Sequence, residues 1–335
     1  MSSTLIRELA FAGGVLRRRP FQCLVQVTNR CNMQCSFCDF WPNGAPPSEE
    51  LSLAEWRDVA RQLAGLGRCV VSVEGGEPFV RPDLVEIVRA FAARHLPLLF
   101  TNGWYVDAAA ARALFDAGLV QAGVSIDFPD AARHDAQRGL PGAFTRAWRA
   151  VEAFRDAAPR GGRQVHVMTV VMDDNAHDLD ALFAQSAARK VGHSITLLSR
   201  AGFRRTPARR LPAPGVGDAL AALWRRHPHV RTFRDYVAGI DPFLAGAALA
   251  DCHAGVQSFN IDHVGNVAPC IEKIDRVAGN VRREPLAAIH ARLLERKDAA
   301  GCQACWTACR GFGQALGGGG TWRAWRDLAA RMRSA

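Results

Sequence analysis

Between residues 22 and 200, short apolar runs alternate with amphipathic segments. The runs Cys23–Val27, Cys69–Val73, Leu96–Phe100, Gln121–Ile126, Val165–Val171 and Ser194–Leu198 have strand length, which predicts six strands. Helical spacing fills the intervals. Ser52-Leu-Ala-Glu55 is a capping box that opens the first of these helices. Pro82-Asp83 opens the second and Asp107 the third, while Ala143–Arg155 and Asp178–Lys190 carry helical periodicity. Six β–α repeats joined by right-handed crossovers make a parallel sheet. The expected fold class is therefore α/β: a partial (β/α)6 barrel, TIM-like but open at one side.

The pattern then changes. Residues 200–216, rich in Arg, Pro and Gly, read as a boundary loop, followed by a helix over Gly217–Arg226. Phe259–Ile261 and Val267–Pro269 flank Asp262-His-Val-Gly-Asn266, which predicts a short β-hairpin. Pro285–Lys297 is helical in pattern. After Gly317–Gly320, a short amphipathic helix with Trp322 and Trp325 closes the chain. These breaks divide it into an N-terminal cap (1–21), the barrel (22–245), a small hairpin-and-helix domain (246–312) and a tail (313–335). No repeat beyond the β–α unit is present.

The 335 residues are 49% hydrophobic, enough for one large and one small domain. The N-terminus has no apolar signal core, and no run reaches the ~18 apolar residues of a membrane span. A cytoplasmic location is expected. The ten cysteines are clustered, which in a cytosolic chain points to metal binding rather than disulfides. Net charge is +10, mostly from arginine. Two basic groups stand out: Arg17-Arg18-Arg19, and Arg200, Arg204, Arg205, Arg209 and Arg210 in one loop. Each is either a solvated face or a contact for an anionic partner. No nucleic-acid partner is expected.

Cys31, Cys35 and Cys38 follow the first strand, at the rim where β/α folds build active sites. Three thiolates at this spacing can hold three irons of a 4Fe–4S cubane and leave the fourth open. Structural zinc wants four ligands, and no nearby His or Cys completes this set. Cys-x-x-x-Cys-x-aromatic-Cys after a first strand resembles the signature of the radical S-adenosylmethionine (SAM) superfamily, and the likeness extends over residues 22–200. Gly75-Gly76-Glu77-Pro78 is similar to that family's glycine-rich motif. The resemblance implies that Gly75 and Gly76 let backbone approach SAM and that Glu77 accepts hydrogen bonds from its ammonium. Thr101-Asn102, Ser125 and Asp127 stand at the ends of strands 3 and 4, where the family places polar groups for the ribose and carboxylate. His134 to Gly139 with Gly142-Ala-Phe144 resembles its peptide-modifying branch, and Arg138 is expected to help hold the SAM carboxylate. Phe37 either packs near the adenine or only fills its loop. The implied chemistry is reductive cleavage of SAM to a 5′-deoxyadenosyl radical that takes a hydrogen atom from a substrate.

Cys252, Cys270, Cys302, Cys305 and Cys309 form a second group within 58 residues. With Gly265 five positions before Cys270, this arrangement resembles the SPASM region or its shorter twitch form. Five cysteines imply one auxiliary 4Fe–4S cluster held by Cys252, Cys270, Cys302 and either Cys305 or Cys309. Zinc on four of these thiolates is the alternative. Asp251 and His253 are candidate acid–base groups beside this site, or polar surface residues. Cys23 and Cys69 read as small buried hydrophobes, and His134 and His166 as structural.

The resemblance implies an enzyme that modifies a peptide by crosslinking, epimerisation or oxidation and draws single electrons from flavodoxin or ferredoxin. Only about 20 residues precede strand 1, so a separate leader-peptide-binding protein is expected. A small molecule, such as an aminocyclitol-like alcohol or a lipid, is the competing substrate class. A non-catalytic iron–sulfur or zinc protein is the third reading, although it would have no use for the polar strand ends. The N-terminal segment and the Trp/Arg tail either touch an anionic membrane surface or cap the barrel.

Overall fold

The computed structural model describes residues 3–159, 164–202, 206, 209–317 and 320–333. A first helix, α1 (Ser3–Leu16), precedes six parallel strands: β1 (Gln22–Thr28), β2 (Val70–Gly75), β3 (Leu96–Thr101), β4 (Gln121–Ser125), β5 (Val165–Val171) and β6 (Gly192–Leu197). Helices α2 (Leu53–Leu66), α3 (Leu84–Ala92), α4 (Ala108–Asp116), α5 (Ala131–Arg138), α6 (Ala143–Ala157) and α7 (Leu179–Ala188) run between them. The capping box of α2 is made in full, with Ser52 and Glu55 each taking the other's backbone N–H. Asp107 caps α4 through the N–H of Ala110.

Each strand has two characters. Val71, Val73, Val124, Val167 and Leu197 are buried in the main apolar core. Their neighbours Ser72, Glu74, Gln121, Ser125, His166, Ser194 and Thr196 instead line a lumen inside the curved sheet. This is strand alternation, with a period of two. It was hidden because both faces are largely apolar in places, for instance at Leu98 and Phe100.

The hairpin is part of the same sheet. β7 (Ser258–Ile261) pairs in parallel with β1, Gln22 opposite Ser258, and β8 (Asn266–Ala268) returns antiparallel. β9 (Gly279–Asn280) follows, giving nine strands in the order β6-β5-β4-β3-β2-β1-β7-β8-β9. All four residues of β7 are buried, which explains why this short strand is held between two neighbours.

The remaining helices are α8 (Val216–Arg226), α9 (Arg234–Ala238), α10 (Ile240–Leu244), α11 (Leu286–Arg296), α12 (Ala308–Leu316) and α13 (Trp322–Arg333). The side expected to be open is filled by α9 and the segment entering α12. The free edge of β6 spends Leu197 N–H on the Tyr236 hydroxyl (2.9 Å), and Thr196 accepts from Ala308 N–H (3.0 Å). Tyr236 stacks on Trp306 at 6.0 Å, and the indole donates to the Tyr236 carbonyl (2.8 Å). Phe312 of α12 reaches Phe21, just before β1, and so bridges the gap from β6 to β1.

At the N-terminal end of the sheet, Phe11 of α1 meets Phe21 and Phe312, and Arg7 bonds the carbonyls of Ala92 and His95. α12 runs across the boundary between residues 312 and 313, where the tail was expected to begin. Among the described residues, no helix is long and apolar enough to cross a membrane.

Candidate active site

The three cysteines of the first group stand on the loop after β1 and border the lumen, a cavity of about 400 Å³. Local hydrogen bonds shape this loop. Gln34 and Ser36 N–H donate to the Arg138 and Gln137 carbonyls at the end of α5 (3.1 and 3.0 Å), and Met33 N–H faces the Cys31 sulfur at 3.4 Å. The buried Arg138 guanidinium pairs with Asp127, points a nitrogen at the Cys35 sulfur (3.6 Å) and lies over the Phe37 ring at 5.6 Å. Burial pushes the Cys31 thiol up to about 12 and raises Cys35 as well, although Arg138 opposes the latter. Without a cation the thiols stay neutral. A cationic centre would displace their protons, so this donor set fits a metal cluster.

Gly75 and Gly76 border the same lumen, but a second reason forces glycine there. Gly75 has φ +130°, and a Cβ on it would sit 2.1 Å from the Thr28 carbonyl; on Gly76 it would meet the Arg30 carbonyl at 2.2 Å. The end of β2 is pressed against the backbone entering the cysteine loop. Glu77 departs from expectation. Its carboxylate is fully enclosed and accepts from Thr101 Oγ1 (2.7 Å), Asn102 N–H (2.7 Å) and Phe79 N–H (3.1 Å). It therefore positions the end of β3 and offers no oxygen to the lumen. Burial lifts its pKa to about 7 against those three donors. Pro78 is buried beside it.

Thr101, Asn102 and Ser125 do border the lumen, with Asn102 donating to Asn32 (2.9 Å) next to Cys31. Asp127 is enclosed, accepting from Val170 N–H (2.8 Å) and pairing with Arg138, so it reaches any lumen ligand only through that arginine.

All five cysteines of the second group border another cavity, of about 300 Å³. Among the described residues, no three His, Cys, Asp or Glu side chains are placed to hold a single metal ion. A lone zinc needs its sulfurs about 2.3 Å away; thiols ringing a void fit a polynuclear cluster better. Burial raises Cys252 and Cys270 and takes Cys305 to about 12. Arg310 ties this loop together by donating to the carbonyls of Cys302 (2.8 Å) and Ala250 (2.8 Å). His253 borders the cavity, but Asp251 is exposed, accepts from Gly301 N–H (3.2 Å) and borders neither space. Of the two acid–base candidates, only His253 borders the cavity. Glu272, unremarked in the sequence, is the buried carboxylate on this wall.

The two cavities adjoin. Gln22, Leu24 and Cys309 border both, and Cys38 and Cys309 pack on one small apolar cluster of Leu24, Phe40 and Ile271. Arg209, read from the sequence as part of a basic loop, instead donates to Ser36 Oγ inside the cysteine loop (2.9 Å) and pairs with Asp174. Arg200 is spent on the Phe243 carbonyl (2.8 Å); Arg204 and Arg205 lie outside the described residues.

Residues 25–185 match the Radical SAM superfamily, and residues 252–309 match SPASM, an iron–sulfur cluster-binding domain. The mycofactocin maturase MftC of Mycobacterium ulcerans is 30% identical, over 86% of this chain and 82% of that protein. An AdoMet-dependent heme synthase of Nitratidesulfovibrio vulgaris is 28% identical, over 79% and 77%. A PqqA peptide cyclase of Gluconobacter oxydans is 34% identical, over 52% and 47%. Among solved structures, anSMEcpe with bound AdoMet and Cp18Cys peptide superposes with a TM-score of 0.64 at 16% identity, over 94% of this chain and 96% of that one.

Proposed function

The chain belongs to the radical SAM superfamily and carries a C-terminal SPASM domain, and from that premise we propose that it is a peptide-modifying enzyme whose two cysteine groups serve one lumen. Its cofactors are SAM, a 4Fe–4S cluster and an auxiliary iron–sulfur cluster. We assign the first cluster to Cys31, Cys35 and Cys38, and the auxiliary one to four of Cys252, Cys270, Cys302, Cys305 and Cys309. When bound, cluster and SAM together supply reductive C–S cleavage and a 5′-deoxyadenosyl radical for hydrogen abstraction.

The chain's own residues do the rest. Gly75, Gly76, Thr101, Asn102 and Ser125 line the space for SAM, with Phe37 at its edge. Arg138, held by Asp127 and 3.6 Å from the Cys35 sulfur, offers a cation on the lumen wall for a carboxylate. The filled seam at Tyr236 and Trp306 keeps water from entering between β6 and β1.

The observation that carries this reading is the shared wall. Cys309 and Leu24 border both cavities, so a group reacting in the lumen lies beside the auxiliary site, where a second electron can leave. A peptide is favoured because the PqqA relative is named for a peptide substrate. A small molecule is the second reading, favoured by the heme synthase relative and by the enclosed lumen.

The test is anaerobic incubation of the reconstituted protein with SAM, reductant and peptides from short reading frames beside the gene. A peptide that acquires a mass change, or deuterium from D2O at unchanged connectivity, together with 5′-deoxyadenosine, supports the proposal. Turnover of a small molecule from the same locus, with no peptide altered, overturns it.

A further inference from the structure

The outer face of α1 has no task in the chemistry above. Its inner face carries Phe11 and Val15 into the core, its one acid, Glu8, borders the lumen, and Arg7 is bound to backbone carbonyls. The other side presents Ile6, Leu9 and Leu16, which are 55, 57 and 64% exposed, with Ala10 among them. Positions 6, 9, 10 and 16 fall on one stripe of a helix. No charge interrupts that stripe, and it runs straight into Arg17, Arg18 and Arg19, all exposed. α13 lies at the same end of the barrel, through α12. It adds Trp322, 68% exposed, under the Arg326 guanidinium at 4.8 Å. The most exposed large apolar side chains among the described residues therefore gather on the two terminal helices, beside cations.

An uncharged apolar stripe that ends in three cations is complementary to a surface that is apolar inside and anionic at its boundary. A protein partner of ordinary composition would not require both features in that order. We propose that the N-terminal end of the barrel docks on an anionic lipid bilayer, with Ile6, Leu9 and Leu16 entering the headgroup boundary and Arg17–Arg19 pairing with lipid phosphates. The cysteine rim, at the opposite end of the strands, stays open to solvent. No helix spans the bilayer in this arrangement; the contact is interfacial and reversible.

The test is co-sedimentation of the full chain with vesicles of phosphatidylcholine mixed with phosphatidylglycerol, against vesicles of phosphatidylcholine alone. Binding to the mixed vesicles, weakened by salt, is expected. Replacing Arg17, Arg18 and Arg19 by Ser should weaken it by about fivefold per arginine. The pair Ile6→Glu and Leu9→Glu should abolish it. Both positions are more than half exposed, so these variants keep the fold, which circular dichroism verifies. No binding to the mixed vesicles overturns the proposal. So does binding that neither variant changes, or a dimer in solution that Ile6→Glu with Leu9→Glu dissociates.

Discussion

Glu77 keeps a proton at a pH where ordinary carboxylates have lost theirs, because enclosure outweighs the three donors around it. The folded chain binds this proton more tightly than the unfolded one, whose value is 4.5. The stability it contributes is therefore complete below 4.5 and is lost as pH rises through about 7, a change of about 3 kcal/mol. Glu77→Gln should flatten the pH dependence of Tm across that window, and an unaltered slope would refute the assignment. Arg138 makes a second case. Arg138→Met strands Asp127 without its cation and should cost about 3 kcal/mol or more, and adding Asp127→Asn should recover part of it. A double variant no more stable than the single one would show that the pair is not coupled. The cysteines were legible in the sequence because their spacing is local. The fate of Glu77 was not, because its partners Thr101 and Asn102 lie on another strand, and only the fold decides whether a carboxylate faces ligand or backbone.

Six strands and their order could be read from apolar runs, since each is buried on one face by helices and on the other by its own lumen. The addition of β7 to β1 could not. It joins Gln22 to Ser258 across the length of the chain, and a four-residue strand carries no register signal of its own. The seam that closes the barrel was equally silent, because its contacts join Thr196 and Leu197 to Tyr236, Trp306 and Ala308, far apart in the chain. Tyr236→Phe leaves the buried Leu197 N–H without its acceptor and should destabilise the protein by about 1–3 kcal/mol, read by chemical denaturation. Gly311 lies where α12 crosses Tyr236, and a Cβ there would be 2.3 Å from the ring. Gly311→Ala should therefore destabilise by about 1–2 kcal/mol, overpacking outweighing the ~1 kcal/mol that alanine gains in a helix. Increased stability in either variant would mean that the seam is looser than described.

For the whole molecule, the consequence of these contacts is that two groups of thiols face adjoining spaces. The sequence shows two groups but not their distance, because residues 38 and 309 meet only after β7 has joined the sheet and α12 has filled its gap. That arrangement sets the SPASM region's cysteines against the barrel lumen, so the two cysteine groups share a wall. Iron and acid-labile sulfide per chain, measured after anaerobic reconstitution in the wild type and in the Cys31→Ala, Cys35→Ala, Cys38→Ala variant, test the two-cluster assignment most directly. About eight irons falling to about four is the predicted result, one cubane for each group. Four irons falling to none would contradict it, leaving the cysteines from Cys252 to Cys309 without a cluster to hold.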